Sequence, residues 1–172
     1  MNKFFALIAV GIILFATVTT INTVQDSIAG KVKAVAAKEQ KLQRLVRTRF
    51  ELLQEQAQEF ENTHGFGLDK LGTDAVHRDC SVLVIEYRLR KAEEGKLPAY
   101  EFIHIKSDIG LILFELLLAD ELLKKSPGLH DNLPGLRQEL NRENPISQDA
   151  ATKRYSELLL PLHEQDERIK AE

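Results

Sequence analysis

The sequence predicts a mainly α-helical protein: an N-terminal transmembrane helix followed by an antiparallel helical bundle. Three observations carry that expectation. No charged residue lies between Lys3 and Asp26. The 172 residues include only nine Gly and five Pro, few breakers for a chain of this length. Between 26 and 63 there is no Pro and a single Gly, Gly30, while Leu42, Val46, Leu53, Ala57 and Phe60 recur at spacings of three, four or seven. The chain therefore divides into an anchor over 1–25, a long juxtamembrane helix over 26–63, and the remainder of the bundle over 64–172 with a frayed C-terminal tail.

The first element is residues 4–24, which read FFALIAVGIILFATVTTINTV. Twenty-one residues at about 1.5 Å each give roughly 31 Å of helix, enough for a hydrocarbon core of about 30 Å. The polar residues Thr19, Thr20, Asn22 and Thr23 place the hydrophobic centre at about 4–18. A cleaved secretory signal is the competing reading, because Lys3 and the apolar run also fit that description. Thr17-Val18-Thr19-Thr20-Ile21 supplies no small-x-small pattern, however, and Ser27-Ile28-Ala29 lies well downstream, so an uncleaved anchor is favoured. Lys31, Lys33, Lys38, Lys41 and Arg44 follow the span, which by the positive-inside rule places the bulk of the chain in the cytoplasm. An exported domain is the alternative, since a short N-terminus with one lysine also precedes exported domains.

The second element is the helix over 26–63. Its seam is of coiled-coil type and is interrupted by Arg49. Residues 31–49 carry seven Lys or Arg and one Glu; Glu51, Glu55, Glu59 and Glu61 follow with no basic residue among them. This is either a solvated helix face or a basic stretch against anionic lipid, at about 1 kcal/mol per cation near the surface. Arg49 would lie about 38 Å past Val24 on a straight perpendicular helix, beyond a Debye length.

His64-Gly65-Phe66-Gly67 ends that helix, with Gly65 as a left-handed cap, and Asp74 starts the next segment. Residues 81–106 read two ways. Leu83, Ile85, Tyr87 and Leu89 alternate with charged residues, so a small β-hairpin over about 81–106 fits, with 100–106 as the second strand across a Gly95–Pro98 turn. A helix with Val76, Cys80, Leu83 and Tyr87 on one stripe fits as well. Ser107 or Asp108 then caps a stretch, IGLILFELLLADELL, whose apolar residues point in nearly every direction. It is too short and too acidic for a second span, so it is the central helix of the core, ended by Lys124, Lys125 and Ser126-Pro127-Gly128. A short helix over 134–143 is broken by Asn144-Pro145, and a last helix runs from about Ser147 to Leu160, where Pro161 interrupts it.

Composition excludes several functional classes. One cysteine, Cys80, leaves no internal disulfide and no multi-cysteine zinc site. A net charge of −3, a pI near 6.0 and no Trp argue against a general nucleic-acid binder. No phosphate-binding glycine loop and no nucleophile-elbow motif occurs.

Three short blocks resemble the LemA family. The first is Leu42-Gln43-Arg44 leading into Arg49-Phe50-Glu51-Leu52-Leu53. The second is Ser126-Pro127-Gly128-Leu129-His130-Asp131-Asn132, without that family's Tyr. The third is Leu136-Arg137-Gln138-Glu139-Leu140 with Glu143-Asn144-Pro145-Ile146 and Tyr155. The family's Ala-Trp pair is absent, and Pro145 breaks a helix that is continuous there. The resemblance implies a membrane-anchored helical bundle with no active site to transfer.

Two E-x-x-H spacings, Glu61 with His64 and Glu101 with His104, are candidates for chemistry. On helices such spacings place both side chains on one face, as in di-iron bundles, and Glu115 could add a ligand. In a strand the second pair would split to opposite faces. Cys80 with His77 could form a thiol–base pair if both are helical, and His163-Glu164 sits in the solvated tail. Packing or solvation accounts for each of these residues more simply. The expectation is therefore no catalytic, cofactor-binding or metal-binding residue and no cofactor. The implied role is a scaffold or partner-binding module at the membrane. A ligand-sensing helical ectodomain is the alternative, followed by a metalloprotein or enzyme. The partners are membrane lipids through residues 4–24, other proteins and a second copy of the chain, and no nucleic acid.

Overall fold

The computed structural model describes the backbone of residues 2–71, 82–142 and 144–171, and the side chains within that set other than those of 2–24 and 169–171. It is mainly helical, with no strand among the described residues. Among the described residues six α-helices follow in order: α1 (Asn2–His64), α2 (Leu68–Leu71), α3 (Val82–Glu93), α4 (Glu101–Lys125), α5 (Leu133–Leu140) and α6 (Pro145–Ala171). A 3₁₀ turn, Pro127–Leu129, stands between α4 and α5. The chain divides into two units, Met1–Gln40 and Lys41–Glu172.

The first unit is helical throughout its described backbone. Over 25–38 its side chains are exposed, and Ile28, Val32 and Val35, at 55–64% exposure, share one face. Among the described residues no helix is long and apolar enough to cross a membrane. The segment 4–24 on which the sequence places the anchor has a described backbone only, so that expectation lies outside the described side chains.

The second unit is the bundle. α4 is its central helix, as its apolar sequence requires, with Ile105, Ile109, Leu113, Leu116, Leu117 and Ala119 all buried. Against it lie Val46, Phe50, Leu53 and Phe60 of α1, Ile85, Leu89 and Ala92 of α3, Leu136 of α5, and Ala151 and Leu159 of α6. The seam predicted for α1 is thus the core-facing stripe, with Phe50 added to it. Cross-helix pairs set the directions. Arg49 and His64 of α1 meet Asp166 of α6 and Asp120 of α4, and Asp120 also meets Arg154 of α6. Arg49 also stands beside Ile109 and Gly110 of α4, so α1 and α4 run together and α6 runs against both. Arg88 and Glu93 of α3 reach Asp108 of α4 and Arg47 of α1, which ties α3 to both helices.

The structure corrects four boundaries. The hairpin expected over 81–106 does not form: 82–93 and 101–106 are helical. The alternating pattern and a helical i, i+4, i+7 set share residues there. The helical set, Ile85, Leu89 and Ala92, is the buried one, while Leu83 and Tyr87 stand 76% and 54% exposed. A helix satisfies its own backbone and needs only the apolar face of α4, whereas a lone hairpin is marginal in water. The stripe through Leu83 and Tyr87 is therefore also the wrong helical face; its other members, Val76 and Cys80, lie outside the described residues, as does Asp74.

α4 begins at Glu101 rather than at Ser107, because Asp108 is committed to Arg88 and does not act as a cap. α6 begins at Pro145, whose missing N–H suits a first turn, with Asn144 Oδ1 accepting from Ser147 N at 3.5 Å. It also runs through Pro161 to Ala171. Pro161 is exposed, where water can satisfy the carbonyl left without its N–H. Beyond it, Leu162 packs on the core and Asp166 is held by Arg49. The expected end of α1 is correct: Gly65 has φ +75°, and its N–H donates to the Glu61 carbonyl at 2.8 Å.

Candidate functional site

Arg49 breaks the apolar seam of α1 three residues after Val46 and four before Leu53, so helical geometry turns it inward. The guanidinium is buried, with the residue only 5% exposed. Antiparallel α6 brings Asp166 to it, and Nη2 donates to Asp166 Oδ2 at 3.0 Å. Nη1 is also buried and has no hydrogen-bond partner. A buried charged donor left unsatisfied costs on the order of 1–3 kcal/mol or more.

A pocket of about 290 Å³ adjoins Arg49. α4 contributes Lys106, Ile109, Gly110 and Leu113 to its wall, and α6 contributes Tyr155, Leu159 and His163. At Gly110 the end of the Tyr155 side chain of α6 comes close. A Cβ at that position would stand 2.9 Å from the Tyr155 hydroxyl, so alanine would collide with it. Glycine within a helix costs about 1 kcal/mol relative to alanine, and here that cost admits the tyrosine. The Tyr155 ring is fixed edge-on by Phe114, with centroids 6.0 Å apart. The lining carries two permanent cations and no acid. Asp166 belongs instead to an adjoining pocket of about 210 Å³, shared with Arg44, Leu45, Thr48, Arg49, Leu162 and Gln165. Arg49 lines both.

A second polar cluster surrounds Asp120 near the C-terminal end of α4. It accepts from Lys124 Nζ at 2.8 Å and from His64 Nε2 at 3.0 Å, and it also pairs with Arg154. Burial pushes this carboxyl up, but the hydrogen bonds from Lys124, His64 and Arg154 outweigh it and hold the group at about 2. An ionised carboxylate only accepts, so the proton of the shared bond sits on His64 Nε2. By the same logic His130 donates through Nε2 to the His64 carbonyl at 2.6 Å. Phe60, Phe66 and these two imidazoles stack at centroid distances of 4.5–6.3 Å. The cluster joins α1, α4, α6 and the turn after α4, and the space beside it is only about 30 Å³.

The residues singled out in the sequence are put to other uses. His64 of the first E-x-x-H pair binds Asp120. Glu101 of the second accepts from Arg88 Nη2 at 3.0 Å, and His104 lies edge-on to Tyr100, with centroids 5.8 Å apart. Both members of that pair are on α4, not in a strand. Glu115 is half-buried on the same helix and makes interactions of its own. Among the described residues no three His, Cys, Asp or Glu side chains gather as metal ligands. His77 and Cys80 lie outside the described residues. His163, expected in a solvated tail, is exposed but stands at the rim of the Arg49 pocket. That pocket is what reading the sequence missed. Its signals were an arginine inside an apolar seam and a glycine inside an apolar helix. No family model matches the chain, and neither does any curated protein or solved structure.

Proposed function

We propose that the chain is a single-pass membrane protein whose helical bundle is a binding module that performs no chemistry on what it binds. The observation that carries the reading is the stretch 4–24, which has no charge and lies within the helical backbone of α1. Its roughly 31 Å of helix matches a hydrocarbon core of about 30 Å. The lysines after it favour a cytoplasmic bundle. Two features support a binding role. The uncovered stripe of Ile28, Val32 and Val35 offers an apolar face to a protein partner or a second copy. The charge clusters around Asp120 and Arg88, the natural places for acid–base chemistry, are spent on joining helices. Kinship with the LemA family belongs to the same proposal and rests on the three sequence blocks above.

N-terminal sequencing of the protein recovered from membranes tests the anchor. A chain starting at or near Met1 is expected, whereas one starting near Ala29 or Gly30 identifies a cleaved signal and removes the anchor from the reading. The Arg49 pocket favours a second reading, in which the bundle senses a small ligand.

A further inference from the structure

We infer that the Arg49 pocket is a binding site for a small anionic amphiphile, a single carboxylate carried on a short apolar body. The proposal deepens the ligand-sensing reading and rests on it. Three independent features of the pocket define the ligand. First, Arg49 is buried and tied to Asp166 through Nη2, while Nη1 has no partner. An arginine fork with one arm free is built to take a carboxylate oxygen. Second, Lys106 also stands in the wall, so an anion held by Arg49 has a second cation nearby. Third, the rest of the wall, Ile109, Leu113 and Leu159, is apolar, and a free inorganic anion would leave it uncovered.

Size narrows the class. At about 30 Å³ for each water, the pocket has room for on the order of ten waters, or a molecule of roughly ten to fifteen non-hydrogen atoms. An eight-carbon fatty carboxylate falls in that range. Gly110 lines the space without a side chain of its own. Nη1 is closed to water, so binding includes a small turn of the guanidinium towards the pocket.

The test uses the full chain in detergent micelles and octanoate labelled with ¹³C at its carboxyl, with protein-free micelles as the blank. A bound carboxyl resonance, distinct from free and micellar octanoate, is expected in the wild type. Arg49→Lys keeps the charge opposite Asp166 but loses the fork, and should weaken binding roughly tenfold or more. Tyr155→Phe with Gly110→Leu fills the pocket without touching the ion pair and should abolish the resonance. Circular dichroism on each variant confirms that it is folded. Octan-1-ol should compete at least roughly tenfold less well than octanoate, and inorganic phosphate should not compete.

Equal competition by octanol, or unchanged affinity in folded Arg49→Lys, would overturn the anion claim while leaving a ligand pocket in place. Phosphate competing as well as octanoate would overturn the requirement for an apolar body. No bound resonance in the wild type would overturn both this inference and the ligand-sensing reading.

Discussion

Replacing Asp120 with Asn should destabilise the bundle in a way that depends on pH. Asp120 is ionised well below its usual range, with a folded value of about 2 against 3.8. A carboxylate whose pKa is depressed by folding contributes stability that is present above the unfolded value and lost as pH falls through the folded one. The gap corresponds to about 2 kcal/mol at 1.36 kcal/mol for each tenfold. Lys124, the first of the groups that hold the value down, is 54% exposed, so solvent screening reduces the contribution to about 1–2 kcal/mol. The sign follows directly. At pH 7 Asp120→Asn should be less stable than the wild type by about that amount. The difference should shrink as pH falls from about 4 towards 2, where the wild-type carboxyl itself becomes protonated. Guanidinium unfolding of the full chain, followed by circular dichroism at pH 7, 4 and 2.5, measures it. A difference that stays constant across the three values would refute the reasoning and assign the effect to packing.

Three further outcomes follow from the same geometry. Leu116→Ala or Leu117→Ala, each at a position no more than 2% exposed, should cost about 2–5 kcal/mol in unfolding free energy; unchanged midpoints in both would remove α4 from the core. Asn132 caps α5 by accepting from Gly135 N at 3.0 Å, so Asn132→Ala should cost about 0.5–2 kcal/mol, measured as a lower melting temperature. Pro161→Ala should raise the melting temperature, because it restores a helical hydrogen bond whose loss costs up to about 3 kcal/mol; a lower melting temperature would show that the proline shapes α6 to fit the core.

What the sequence revealed depended on how local the physics was. The central helix was legible because apolar residues surround it on nearly all sides, and the end of α1 was legible because Gly65 is where a left-handed residue is needed. Residues 82–93 were not, because their strand-like and helix-like patterns share Ile85 and Leu89, and only the presence of α4 decides between them. The length of α6 was hidden by Pro161. Its continuation is stabilised by the pairing of Asp166 with Arg49, 117 residues away in sequence. The Arg49 pocket was half visible. The break in the seam pointed to something unusual, but neither the buried, unpartnered Nη1 nor the contact of Tyr155 with Gly110 can be read before the helices are packed.

The central claim is that residues 4–24 anchor the bundle in a membrane. Alkaline carbonate washing of membranes from cells making the full chain, compared with a chain lacking residues 2–24, tests it most directly. The full chain should stay in the pellet with integral proteins and the shortened chain should not. Release of the full chain into the carbonate supernatant would contradict it.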